Sequence, residues 1–260
     1  MKKIPVILIV AFLLLPIQSC IDGLHCIRGN GIMETETRRT DSFRIIENST
    51  SIDVVFKKGE STSVKIEAEE NIIDYIVTET LNNRLEIKTR DGNTCLDFSE
   101  KPLITITSPE INSAYLTGSG DLFADEMSGS DVMVNVSGSS DVSVTDVQCT
   151  ILKLIVSGSG SIKISECQNQ SSELTISGSG NIDLSGQGST SSMKISGSGD
   201  ISAENMLLTT ASISILGSGN VFTTISQSLY GIISGSGNIY LRGNPTITQN
   251  ISGSGRIIKY

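Results

Sequence analysis

Six residues at near-constant spacing are the first candidates for chemistry. Asp121, Asp141, Asn181, Asp200, Asn220 and Asn238 each follow a Gly-Ser-Gly-like turn, and Asp131 stands nearby. Carboxylates stacked one above another could offer the oxygen ligands that calcium takes. Ser161 and three amides interrupt the column, however, and the nine-residue period of calcium rolls is absent. Two carboxylates ~5 Å apart also repel by ~1 kcal/mol in water, a cost that alternation with Asn relieves. The column therefore reads as a surface ladder that supports the fold. No metal and no cofactor is expected.

Cleavage of an acidic polysaccharide would need a general base held beside a charge-neutralising cation. Lys153, Lys163, Lys194 and Arg242 are scattered among Glu166, Asp183 and Glu204 with no spacing that gathers such a pair. The single histidine, His25, lies far from all of them in sequence, so no His-dependent triad can form in the body of the chain. The chain is expected not to be an enzyme. Cys26, Cys95, Cys149 and Cys167 permit three disulfide pairings. Cys149 and Cys167 are nearly one repeat apart, and a Cys26–Cys95 bond would tie down the N-terminal region; buried free thiols are the alternative. No pair has the close spacing of a zinc site.

The elements that carry these residues are set by a repeat. The turn glycines Gly118, Gly138, Gly158, Gly178, Gly197, Gly217, Gly235 and Gly253 are separated by 20, 20, 20, 19, 20, 18 and 18 residues. Apolar pairs flank each turn, among them Val134/Val136, Leu154/Val156, Leu174/Ile176, Met193/Ile195 and Ile213/Ile215 before it. Val142/Val144, Ile162/Ile164, Ile182/Leu184 and Ile239/Leu241 come after it. Alternation with period two and β-branched side chains means strands with one buried face. A meander of hairpins would also show glycine turns. Identical residues recurring in phase, with almost no aromatics, favour a parallel β-helix with one ~20-residue rung per repeat. A lone rung cannot bury enough to fold, so the unit must be iterated. The glycines are expected to supply positive φ at each corner.

The regular coil is assigned to residues 117–260, and residues 29–116 form its irregular, β-rich first part. Residues 20–116 hold 17 acids and 11 bases, against 11 and 6 in the longer remainder. Val64/Ile66, Leu85/Ile87 and Ile104/Ile106 repeat the apolar pair, which extends the coil downwards with a worn motif. Glu69 to Leu81 is a second candidate, for a short helix. Such a charged section would cap the open apolar column, while Arg256, Lys259 and Tyr260 would close the other end.

Residues 1–19 read as a cleaved leader: Lys2 and Lys3, then an apolar run from Ile4 to Pro16 too short to span a bilayer. Ile17-Gln18-Ser19-Cys20 looks like a bacterial lipobox, with Gln18 where a small residue is usual. This implies acylation of Cys20 and a tether over 20–28. Losing the two leader lysines leaves 17 bases against 28 acids, a net charge of −11. That balance argues against nucleic acid and against anionic membrane as partners, apart from the lipid anchor.

Gly29-Asn30-Gly31, the segment Ser63–Asn71 and the serial Ser-Gly-Ser-Gly-Asn/Asp turns together resemble the auto-transporter adhesin head, or GIN, domain family of Bacteroidetes. The resemblance covers about residues 27–260. It implies an all-β, single-stranded right-handed parallel β-helix on an exported, often lipidated protein, with no catalytic residues. Ser140 in place of glycine and Leu216 before its turn depart from the pattern. The expected role is an outer-membrane lipoprotein of the cell envelope that binds an extracellular glycan or protein. A scaffold without a ligand is the second reading, and a polysaccharide-processing enzyme a remote third.

Overall fold

In a computed structural model of the chain, the described residues are 26–92 and 94–260; the leader, Cys20 and His25 lie outside them. The fold is a β-solenoid of about seven turns, with 64% of the described residues in strands. Ten short strands come first: β1 (Ile27–Arg28), β2 (Met33–Arg38), β3 (Ile45–Asn48), β4 (Asp53–Lys58), β5 (Ser63–Glu69), β6 (Ile76–Leu81), β7 (Arg84–Thr89), β8 (Leu96–Asp97), β9 (Leu103–Ser108) and β10 (Ser113–Leu116). Then come β11 (Leu122–Val136), β12 (Val142–Val156), β13 (Ile162–Ile176), β14 (Ile182–Ile195), β15 (Ile201–Ile215) and β16 (Val221–Ile233). The chain finishes with β17 (Ile239–Arg242), β18 (Thr246–Ile251) and β19 (Ile257–Lys259).

From β10 to β19 every strand pairing is parallel, and like residues sit over like. Val134, Leu154, Leu174, Met193 and Ile213 form one inner column. Val142, Ile162, Ile182, Ile201, Val221 and Ile239 form another. Within β11 the inward residues are Leu122, Ala124, Met127, Val132, Val134 and Val136. A straight strand keeps its inward face at every second residue. The breaks after Ala124 and after Met127 are where the strand bends around the coil. The shorter rungs are absorbed on the side away from the Gly-Ser-Gly corners. Register shifts fall between Ile164 and Cys167, between Asp183 and Gly186, and between Ala203 and Leu207.

The first part continues the coil downwards for two rungs, which hold Leu85/Ile87 and Ile104/Ile106, but Val64/Ile66 does not stack as expected. β3 and β4 make a rung directly beneath β10 and β11, and β7 and β9 pair parallel beneath that rung. β5 and β6 then reverse. β5 runs antiparallel to β9, β2 to β5, and β6 to β7. Val64 and Ile66 thus face Ile106 and Ile104 in reverse order, rather than stacking as a worn rung. The reversal covers the end of the apolar column. The candidate helix over Glu69–Leu81 shrinks to one turn, α1 (Glu70–Ile73), followed by β6.

Candidate functional site

The candidate ladder is continuous, and its side chains are used inside the fold. Each residue accepts the backbone N–H of its successor one rung up. Asp141 N donates to Asp121 Oδ1 at 2.8 Å, Ser161 N to Asp141 Oδ1 at 2.7 Å, and Asn181 N to Ser161 Oγ at 3.4 Å. Asp200 N donates to Asn181 Oδ1 at 2.9 Å, Asn220 N to Asp200 Oδ1 at 2.6 Å, and Asn238 N to Asn220 Oδ1 at 3.0 Å. The corner breaks the regular strand, so these N–H groups need a side-chain acceptor. Asp, Asn and Ser all carry an oxygen at the right distance, which explains why the three types alternate freely. Ser161, apparently a break, is the weakest link of an unbroken chain.

Two members escape the sequence pattern. Asp53 is the foot of the ladder: Asp121 N donates to its Oδ1 at 3.0 Å, and Lys101 Nζ lies 2.6 Å from its Oδ2. The hydrogen bond and charge of Asp53 raise the Lys101 pKa. Arg256 is the top, its N–H donating to Asn238 Oδ1 at 3.0 Å. Asp53 was hidden because its corner, Asn48 to Ile52, holds no glycine. There Asn48 does the work instead, donating to Ile52 O at 2.9 Å and accepting the Thr50 N–H at 3.0 Å. Among the described residues no cluster of His, Cys, Asp or Glu could hold a metal ion.

The corner glycines are required for a reason other than the expected one. None of the stacked turn glycines has positive φ. A Cβ on Gly138 would instead lie 2.0 Å from Gly118 O, one on Gly158 1.9 Å from Gly138 O, and one on Gly178 2.0 Å from Gly158 O. Each of those carbonyls accepts the next rung's Ser N–H, at 3.1 Å in all three cases, so it points straight up the column. Ser140 interrupts the neighbouring glycine column, and its hydroxyl is buried without a partner in the fold.

Elsewhere, Cys26 and Cys95 are joined by a disulfide. Cys149 and Cys167 are free. They are two positions out of register, since Cys167 stacks on Val147. Diagonal neighbours stand roughly 7–8 Å apart, beyond a disulfide's reach. Burial pushes the Cys149 thiol up to about 11, helped by Asp131, and the Cys167 thiol to about 12, helped by Cys149 and Asp146. Neither is a nucleophile at neutral pH. The scattered charges are partly paired off, Lys153 with Glu173 at 3.2 Å and Arg242 with Glu204 at 3.8 Å. Phe222 stacks on Tyr240 at 4.7 Å, and Tyr260 meets the edge of Tyr240 while its hydroxyl donates to Glu204 at 2.9 Å. Phe123 and Tyr230 are exposed singly.

At the base, the two segments that carry the family resemblance meet. Gly31 N donates to Glu69 Oε1 at 2.6 Å, Asn30 N to Asn71 Oδ1 at 3.0 Å, and Asn71 Nδ2 to Arg28 O at 2.8 Å. Ser99 N donates to the other Glu69 oxygen at 3.0 Å. Burial disfavours the charge of Glu69, yet N–H donors from Gly31, Ser99 and Glu100 hold its carboxyl below the ordinary value.

No curated protein sequence matches the chain. Among solved structures it is similar to one described as a putative lipid binding protein from Parabacteroides distasonis. That pair is 27% identical, covers 90% of this chain and 99% of the other, and has a TM-score of 0.84. It is also similar to a structure described as a putative adhesin from Parabacteroides merdae, 24% identical, covering 90% and 98%, with a TM-score of 0.86. A third, described as a putative adhesin from Bacteroides fragilis, is 21% identical over 90% and 100%, with a TM-score of 0.70. The family model described as "Putative auto-transporter adhesin, head GIN domain" matches residues 42–245. Those residues run from the first parallel rung almost to the last, and the chain belongs to that GIN domain family.

Proposed function

We propose that this protein is exported, anchored by lipid on Cys20, and acts at the cell envelope as an adhesion module for an extracellular glycan or protein. The observation that carries this reading is a rigid coil whose outer positions are held in vertical register while presenting hydroxyls and amides. Such a wall can match a repeating ligand through many weak hydrogen bonds. Family membership and the adhesin and lipid-binding descriptions of its solved relatives support it. A lipidated Cys20 ahead of the Cys26–Cys95 bond would place the sealed end of the coil nearest the membrane.

One observation favours the scaffold reading. The ladder oxygens are spent on backbone N–H groups, so that column offers a ligand less than its composition suggests. The two readings part on one test. Protease shaving of intact cells, followed by glycan- and matrix-protein arrays with the released protein, is expected to give surface cleavage and saturable binding. Cleavage without any binding would leave the scaffold.

A further inference from the structure

A trough of about 570 Å³ crosses β12 to β16 on the side away from the Gly-Ser-Gly corners. Its floor lies where the short β14 rung carries Gly186 and Gly188 in place of larger residues. Gly188 pairs with Asn169 below and Leu208 above, in a column that otherwise points inward. Having no side chain, it makes room for the Asn169 amide, whose Oδ1 would lie 2.4 Å from a Cβ at that position. That asparagine is 7% exposed, and neither its Nδ2 nor its Oδ1 has a hydrogen-bond partner. An unpaired buried amide costs ~1–3 kcal/mol, which a ligand could recover.

The surroundings define what fits. Gln148, Gln168 and Gln187 stack on consecutive rungs along the trough, and Leu207 continues their column with its side chain 55% exposed. No residue lining the trough carries a charge, in a chain with a formal net charge of −9. Charged sugars and basic peptides therefore find no ion-pair partner there. A primary amide that both donates and accepts is complementary to a secondary amide, and the exposed glutamine amides suit hydroxyls. One isolated apolar side chain matches a methyl group, whereas an extended peptide would want several pockets.

Resting on the adhesin reading, we infer that this trough is a subsite for a neutral, N-acetylated hexosamine unit of an oligosaccharide. The acetamido group pairs with the Asn169 amide, its methyl contacts Leu207, and ring hydroxyls meet Gln168 and Gln187.

The full-length protein is titrated with the N-acetylglucosamine tetramer, with the glucose tetramer of the same linkage and with an N-acetylated peptide, by calorimetry and NMR. Saturable binding is expected for the first only. Asn169→Leu should weaken it by roughly tenfold or more while leaving the melting temperature unchanged or higher. The exposed double change Gln168→Ala/Gln187→Ala should weaken it without any question of folding. Failure of the acetylated sugar to bind, equal binding of the glucose tetramer, preference for the peptide, or indifference to both variants would each overturn the assignment. If another glycan or protein still binds on the arrays, only the subsite falls; if nothing binds, the adhesin reading falls with it.

Discussion

The Glu69 carboxylate sits 2.6 Å from the backbone N–H of Gly31, at the point where the first described residues cross the reversed strands of the base. Gly29 packs so closely on that carboxylate that a Cβ there would lie 1.8 Å from Oε2. One buried acid thus ties together segments 38 residues apart in sequence.

The pH consequence follows from its depressed pKa. Stability from Glu69 is present above the unfolded carboxyl value of ~4.3 and is lost as pH falls through the lower folded value. Glu69→Gln should therefore be less stable than wild type at pH 7. The gap in denaturant midpoint should narrow as pH drops below 4. A gap that stays constant with pH would show that the charge contributes nothing.

Reducing the Cys26–Cys95 bond, or changing both residues to serine, should cost about 2–5 kcal/mol in urea unfolding. The loss should be felt first at the base, seen as amide exchange in β1, β2 and β8 before β11–β16. Cys149 and Cys167, with thiols raised to about 11 and about 12, should resist a thiol reagent at pH 8 until the coil unfolds. Rapid labelling of the folded protein would contradict this.

Gly178→Ala should destabilise by at least ~1–3 kcal/mol, because backbone of the rung below cannot give way to the added methyl. The opposite change at the flawed corner, Ser140→Gly, removes a buried hydroxyl without a partner. That gain of ~1–3 kcal/mol exceeds the ~0.4–1 kcal/mol of added chain entropy, so the melting temperature should rise. Thermal denaturation of the two variants beside wild type tests both signs.

Removing a ladder oxygen should cost about 0.5–1.5 kcal/mol per rung, and Asn181→Ala is the cleanest case since it orphans the Asp200 N–H. Asp141→Asn keeps the acceptor and should be nearly neutral. Chelators should leave the melting temperature of the wild type unchanged. A calcium-dependent shift would show that the carboxylates do more than accept backbone protons.

Much of this fold was legible in the spacing alone. Val134, Leu154 and Leu174 recur at twenty residues and do stack. What period-two alternation lacks is direction. Val64/Ile66 reads the same whether its strand runs with or against Ile104/Ile106, so the reversed base could not be read from it. Spacing also identified the ladder's members but not their bonds, because recurrence says which residues stack and not what each side chain accepts. The glycine turns suggested positive φ, the commonest use of that residue; the true constraint, a carbonyl from the rung below, exists only once the coil is stacked. Cys149 and Cys167 show how finely register decides. Eighteen residues instead of twenty turns vertical neighbours into diagonal ones. The Asn169 trough was invisible because it depends on a missing residue and a missing side chain in the same rung, β14.

The two ends of this coil are not equivalent. Reversed strands seal the base, whereas β18 and β19, among the described residues, pair only with the rung beneath them. Rungs at the β18 and β19 end can be added or removed coil by coil without disturbing the plug at the other extremity. Reach is therefore an adjustable property of the molecule, and its footing a fixed one.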